Sequence, residues 1–267
     1  MTRRWTAALV VAVMALAVGG CGGDGETRAT GETAVVRVAA AADLQFALEE
    51  VAAALAVAEP PVTLRTTYGS SGTFFQQISN GAPFDVYLSA DLAYPTELAE
   101  AGLAAPADVF DYAVGRLVVW AADGSAVDPA GGLAALADPA VGKVAIANPE
   151  HAPYGEAAVA ALRATGVYDQ VEPRLVLGEN VAQAAEFALT GNADAAVIAL
   201  SLALAPQLAD RGVHAEVPLE SFPRLDQGGV ILAAAADRAA AQQLRDYLTG
   251  EDGTAILERY GFYLPGT

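Results

Sequence analysis

The stretch VVRVAAAADLQFALEEVAAAL, residues 35–55, decides the fold. Residues 35–40 form a short apolar run with β-branched side chains, which predicts a buried strand. Asp43 ends this run, and apolar residues then recur at helical spacing at Leu44, Ala47, Leu48, Val51 and Leu55. A strand that leads directly into an amphipathic helix is the repeating unit of α/β proteins.

The same kind of junction occurs four times along the chain. Each time a strand-like run stops at small, hydroxyl or proline residues, and a helical pattern begins. The first N–H groups of a helix have no partner within the helix, and such helix starts bind anions without a basic side chain. A small oxyanion is therefore the first ligand to consider. The four junctions are AAAADL (39–44), YGSSGT (68–73), NPEHAPYG (148–155) and GENV (178–181).

The order of the elements predicts an α/β fold of two lobes joined by two crossings. Strand and helix alternate repeatedly, which favours parallel or mixed sheets covered on both faces. A Gly/Pro/Asp-rich stretch at 123–132 marks a change of region, and 214–229 reads as a second crossing before a strand at 230–234. The cleft between the lobes is the expected ligand site. The predicted lobes are residues 34–118 plus 229–267 for lobe 1 and residues 119–228 for lobe 2.

The N-terminus reads as an export signal over residues 1–21. Arg3 and Arg4 precede an apolar stretch too short to span a bilayer comfortably, and small residues lead to Cys21. This resembles a bacterial lipoprotein signal, which implies lipid modification of Cys21 and a membrane anchor; the alternative is an ordinary secretory signal with a free cysteine. Residues 22–33 read as a flexible tether. Because Cys21 is the only cysteine, no disulfide can form within the chain.

Composition excludes several classes of function. The formal net charge is −18, and loss of Arg3 and Arg4 makes it −20, which argues against nucleic acid. The only histidines are His151 and His214, and no cluster has metal-ligand spacing, so neither a metal site nor a cofactor is expected. A Ser71–His151 hydrolase is the enzyme alternative, but no catalytic motif supports it. We therefore expect no enzyme, and a body that is soluble outside the signal.

Five segments together resemble the periplasmic molybdate-binding proteins, the receptors of molybdate ABC transporters. The resemblance spans essentially the whole body, with the segments in family order. It implies the type II periplasmic-binding-protein fold, a monomer, molybdate or tungstate as ligand, an extracytoplasmic location, and an ABC permease as partner. The segments are AAAADLQFALEEVA, GSSGTFFQQISNGAPFDVYLSAD, NPEHAPYG, Glu179-Asn180-Val181 and ERYGF.

The resemblance also implies which residues contact the oxyanion. They are Asp43, Ser71, Tyr154 and the backbone N–H of Val181, with Ser70 as a possible addition. Some relatives carry a tyrosine near the position of Ala199. This chain lacks that hydroxyl, and Tyr154 or Ser201 is expected to replace it.

Asp43 departs from the relatives, which often have Ser or Asn at this position. An ionised carboxylate facing a dianion is strongly unfavourable in a dry cleft. Either the side chain caps its own helix while its N–H serves the ligand, or it is protonated and donates, or the ligand is another one. Phosphate, sulfate, chromate and organic carboxylates are the alternative ligands.

The other candidate residues have structural interpretations as well. Ser70 and Ser71 also fit turn or N-cap positions, and Tyr154 fits a core or rim aromatic. His151 is expected to be a structural hydrogen-bonding residue.

Overall fold

Strands and helices alternate along residues 33–266, the part of the chain that this computed structural model describes. The strands are β1 (Ala34–Ala41), β2 (Val62–Gly69), β3 (Val86–Ser89), β4 (Val109–Gly115), β5 (Leu117–Ala122), β6 (Val144–Ala147), β7 (Leu175–Gly178), β8 (Ala195–Ala199), β9 (Gly212–Glu216) and β10 (Leu225–Ile231). The helices are α1 (Gln45–Ala56), α2 (Ser71–Ser79), α3 (Ala93–Glu100), α4 (Gly132–Ala135), α5 (Pro153–Ala164), α6 (Tyr168–Val171), α7 (Val181–Leu189), α8 (Leu200–Ala203), α9 (Pro206–Ala209), α10 (Arg238–Thr249) and α11 (Glu251–Arg259). A 3₁₀ turn, Ala42–Leu44, lies between β1 and α1.

Two five-stranded sheets repeat one topology. The first has the order β2-β1-β3-β10-β4, and the second has the order β7-β6-β8-β5-β9. In the first sheet β1 pairs in parallel with β2 and β3, and β10 is antiparallel to both β3 and β4. In the second sheet β6 pairs in parallel with β7 and β8, and β5 is antiparallel to both β8 and β9. Each sheet is therefore the base of one α/β lobe.

The chain passes between the sheets twice. Arg116 alone separates β4 of the first sheet from β5 of the second, and residues 217–224 lead from β9 back to β10. The predicted α/β fold with two lobes and two crossings is confirmed. The lobe boundaries at 118/119 and 228/229 stay a prediction.

The return strand begins earlier than the sequence predicted. β10 runs over Leu225–Ile231, not over residues 230–234, because Gly228 and Gly229 lie within the strand and do not end it. The register shifts between Gln227 and Gly228, as a β-bulge produces. Both glycines are closely covered: a Cβ on Gly228 would lie 2.2 Å from Leu92, and one on Gly229 would lie 2.4 Å from Phe110.

Apolar side chains cover both faces of the first sheet. From β1, Val36, Val38 and Ala40 pack in one cluster with α1 and α10, whereas Ala39 packs in another with residues of α2 and β3. A third cluster surrounds the second sheet and includes the fully buried Trp120 of β5. Strands buried on both faces have continuous apolar sequences, which explains the alanine- and valine-rich run at β1.

Between residues 33 and 266, no helix is long and apolar enough to cross a membrane. Within the same range, no group of three or more His, Cys, Asp or Glu side chains is placed to hold a metal ion. The predicted signal with Cys21, and the tether up to residue 32, lie outside the described residues.

Candidate functional site

The four junctions meet around one small cavity. The 3₁₀ turn after β1 and the start of α2 approach it from the first lobe, and the starts of α5 and α7 approach it from the second. The volume of this cavity is about 10 Å³, which is the space of roughly one water molecule. Its lining includes Asp43, Ser70, Ser71, Tyr154 and Val181, so the structure brings these predicted residues together.

Ser71 is a free hydrogen-bond donor toward this cavity. It is the first residue of α2 and is almost fully buried. Its Oγ accepts a hydrogen bond from the amide of Ala90 at 3.0 Å, and its backbone carbonyl accepts one from the Tyr87 hydroxyl at 2.7 Å. Because Oγ is used here as an acceptor, its own proton stays available to a ligand oxygen.

Ser70 joins the two lobes. It is the N-cap residue of α2, but its side chain does not cap the helix. Its hydroxyl donates instead to the backbone carbonyl of His151, and the amide of Gly72 donates to the same oxygen at 2.9 Å. A Cβ on Gly72 would lie 2.7 Å from that oxygen, so only glycine permits this approach. Ser70 thus occupies the N-cap position, but it does not make the capping hydrogen bond.

His151 is held as a structural residue. Its Nδ1 lies 2.9 Å from Ser70 Oγ, and its Nε2 lies 3.8 Å from a carboxylate oxygen of the exposed Glu179. The serine in contact with His151 is Ser70, and not the Ser71 of the hydrolase alternative. Together with the bonds that the His151 carbonyl accepts, this contact ties the lobes together.

The amide of Val181 is available at the start of α7. Asn180 caps this helix, and its Oδ1 accepts from the amides of Ala182 and Gln183, both at 3.0 Å. Val181 is the first residue of the helix, so its amide has no acceptor within the helix and lies outside this cap. Its side chain is buried in the core of the second lobe.

The phenol of Tyr154 belongs to a hydrogen-bond network behind the cavity. Gln227 Nε2 lies 3.1 Å from Tyr154 Oη and 2.5 Å from Asp43 Oδ2. The other end of the Gln227 amide, Oε1, accepts from the Tyr112 hydroxyl at 3.0 Å. Burial, followed by the charge of Asp43, raises the pKa of Tyr154 well above its usual value. Tyr154 therefore stays a neutral phenol at physiological pH.

Asp43 is buried with one oxygen unsatisfied. Burial raises the pKa of its carboxyl to about 6, although hydrogen bonds with Gln227 and Tyr154 oppose this. Oδ2 has Gln227 as partner, whereas Oδ1 has no hydrogen-bond partner among residues 33–266. Asp43 does not hold an N-cap position: Ala41 is the N-cap residue of the 3₁₀ turn and Leu44 that of α1, and neither end has a side-chain capping bond.

Ser201 lies behind the cavity and does not line it. Its hydroxyl donates to the backbone carbonyl of Asp43 at 2.7 Å, which links α8 of the second lobe to the 3₁₀ turn of the first. The hydroxyl missing at Ala199 is therefore not replaced by a Ser201 hydroxyl in the cavity lining.

Sequence reasoning missed Gln227 and Tyr112. Gln227 is fully buried in β10, at the bulge, and a glutamine before two glycines read as part of a crossing. The available signal was a polar side chain inside an apolar strand, since such residues are buried only when they are hydrogen-bonded.

A larger cavity of about 580 Å³ lies elsewhere, and it contains none of the predicted residues. Its lining is mainly apolar and includes Phe222 and Phe262, with Arg224 and Glu258 as the charged members. It presents neither converging helix starts nor an unpartnered buried polar atom. We assign the candidate site to the small cavity, because helix starts, two serines and the buried carboxyl of Asp43 meet there.

The chain belongs to the family of bacterial extracellular solute-binding proteins, whose model matches residues 36–263. Among its relatives are two molybdate-binding proteins ModA. The chain is 38% identical to that of Rhodobacter capsulatus over 75% of this chain and 77% of the relative. It is 37% identical to that of Azotobacter vinelandii over 91% of this chain and 95% of the relative.

A solved structure shows the same fold. The periplasmic molybdate-binding protein of Azotobacter vinelandii superposes with a TM-score of 0.80 at 33% identity, over 86% of this chain and 99% of that one. The expected periplasmic-binding-protein fold is confirmed by this match.

Proposed function

We propose that the protein is the extracytoplasmic receptor of an ABC transporter, which binds molybdate, and also tungstate, and delivers it to the permease. The observation that carries the proposal is the convergence of the Ser71 hydroxyl and the Val181 amide on one cavity between the lobes. The molybdate-binding relatives support the choice of ligand.

The donor set suits a small oxyanion. Helix starts carry partial positive charge, and unpaired N–H groups act at contact distance. The net charge of −18 opposes an anion only weakly, since exposed charges are screened over about 8 Å at physiological salt. The lining residues come from both lobes, so closure and binding are thermodynamically one event.

Calorimetry of the protein without residues 1–33 tests the ligand. We expect one-to-one binding of molybdate and tungstate, which share charge and shape. Sulfate is smaller and leaves donors unpaired, so we expect at most weak binding. Binding of phosphate alone would overturn the proposal. The absence of binding by molybdate, tungstate, sulfate and phosphate would do the same.

We also propose that Cys21 carries a lipid anchor and that the receptor acts as a monomer. Change of Cys21 to Ser then moves the protein from the membrane fraction to the soluble fraction of cells, whereas Ser79→Ala, an exposed change in α2, leaves it at the membrane. Persistence of Cys21→Ser at the membrane would contradict the anchor. Light scattering of the anchor-free protein, with and without molybdate, tests the monomer.

A further inference from the structure

We propose that the oxyanion binds together with one proton, which lies between Asp43 Oδ1 and an oxygen of the anion. This inference rests on the proposed function, because it concerns the same cavity. Asp43 would thus donate a hydrogen bond in the complex as a protonated carboxyl, whereas an ionised aspartate can only accept.

The geometry leaves Oδ1 as the oxygen for this role. Asp43 lines the cavity and is almost fully buried, and Oδ1 has no partner among the described residues. Oδ2 is held by Gln227 at 2.5 Å. Gln227 Oε1 lies 3.0 Å from the Tyr112 hydroxyl, which is also 2.9 Å from the Ser89 carbonyl, and Gln227 Nε2 faces Asp43. A carboxyl fixed through one oxygen keeps the other in place for a ligand.

Electrostatics then require a proton. A dianion beside an ionised Asp43 adds two negative charges to the one already in a desolvated site, and like charges favour protonation. Burial already raises the pKa of Asp43 to about 6 before any anion is present. A carboxylic acid satisfies the orphan oxygen and donates to the anion in one bond. The balance is simple: one receptor with ionised Asp43, one dianion and one proton from solvent form the complex.

The groups around Asp43 do not supply a competing charge. Tyr112 from β4 and Tyr154 from α5 face its carboxyl, and burial raises the pKa of both well above the usual value, so both are neutral. β10 presents the amide of Gln227, and α8 presents the hydroxyl of Ser201 to the Asp43 carbonyl. Burial and hydrogen bonds set the Asp43 pKa, and no charged side chain of α1, α7 or any other packed element is among the causes.

His151 is a further titratable side chain near the cavity, beside the lining residue Ser70. It contacts Ser70 and lies 3.8 Å from Glu179, but it does not contact Asp43. A proton that is taken up on anion binding can therefore reside on Asp43 or on His151, and the His151→Gln variant separates the two cases.

Calorimetry with sodium molybdate in pairs of buffers with different ionisation enthalpies measures the protons taken up. Near pH 8, where free Asp43 is ionised, we expect about one proton per anion. Near pH 5, where Asp43 is mostly protonated beforehand, we expect a small fraction of a proton. The dissociation constant should rise about tenfold per pH unit above about pH 7. Binding without proton uptake at pH 8, with an affinity independent of pH, would overturn the inference.

Variants assign the proton. Asp43→Asn places an amide donor where the acid is proposed, so we expect binding with no proton uptake and no pH dependence between about pH 5 and 8. His151→Gln should keep the uptake of the unchanged protein; its loss there would move the proton to His151. If Asp43→Asn does not fold, the buffer-pair measurement on the unchanged protein and on His151→Gln decides. Absence of all molybdate binding would refute the proposed function, and this inference with it.

Discussion

The backbone amide of Ala90 donates to Ser71 Oγ at 3.0 Å, so this bond leaves the Ser71 hydroxyl proton available to an oxyanion in the cavity that Ser71 lines. Change of Ser71 to Ala removes that donor from a charged acceptor. We expect a loss of about 1–3 kcal/mol in molybdate binding, measured by calorimetry. Ser79→Ala is the matched control, since Ser79 is an exposed serine in the same helix. Equal affinities of the two variants would contradict the role of Ser71.

Ser70 differs from Ser71 although the two are adjacent. Its hydroxyl donates across the lobes to the His151 carbonyl. Ser70→Ala should therefore weaken binding indirectly, by lowering the population of the closed form, with a loss of about 1 kcal/mol. Small-angle scattering should show a more open unliganded protein and an unchanged molybdate complex. A loss in affinity larger than that of Ser71→Ala would mean that Ser70 is itself a ligand contact.

Gly115 lies directly against the network behind the cavity. A Cβ at this position would lie 2.3 Å from Tyr154 Oη and 2.8 Å from Gln227 Nε2. Gly115→Ala must therefore displace Tyr154 or Gln227, and overpacking of this kind costs about 1–3 kcal/mol. We expect a lower denaturant midpoint and weaker molybdate binding together. An unchanged midpoint would show that the network has room to shift.

The pH dependence of stability follows from the raised pKa of Asp43. The folded protein favours the neutral acid, with a pKa of about 6 against 3.8 for the ordinary group. This contribution is fully present below pH 3.8 and is lost as the pH rises to about 6. Above that pH the loss amounts to about 3 kcal/mol.

Asp43→Asn should remove this loss, because an amide has no charged form to bury. In denaturant titrations without oxyanion, we expect the variant to gain stability over the unchanged protein at pH 7 and to match it near pH 4. The curves of both proteins should then diverge between these values. A constant difference in free energy of unfolding across this range would contradict the assignment.

The local patterns of the sequence predicted most of the fold and the junctions that line the cavity. The choice of contact residues at those junctions came from the family resemblance. β1 with its helix, and the starts of α2, α5 and α7, follow from neighbouring residues, so short segments carry their signal. Asp43, Ser70, Ser71, Tyr154 and Val181 all lie at such junctions and all line the cavity.

What the sequence did not predict depends on long-range pairing. Gln227 contacts Asp43 across 184 positions, and no local pattern announces that contact. β9 was read as part of a crossing because it is an exposed edge strand that pairs only with β5. β4 was not predicted, since Asp111 and Gly115 interrupt its apolar pattern. The cap proposed for Asp43 failed because burial beside Gln227 outweighs a local helix-end preference.

The position of Trp120 gives the protein an optical probe of its own. It is the single tryptophan of residues 34–267, and it is fully buried in β5 with an indole N–H that has no partner among the described residues. Fluorescence from an apolar environment shifts to longer wavelength when water reaches the ring. Because the ring belongs to the core of the second lobe, emission reports the melting of that lobe, while circular dichroism reports the whole chain. Any lag between the two signals would show that the lobes unfold as separate cooperative units.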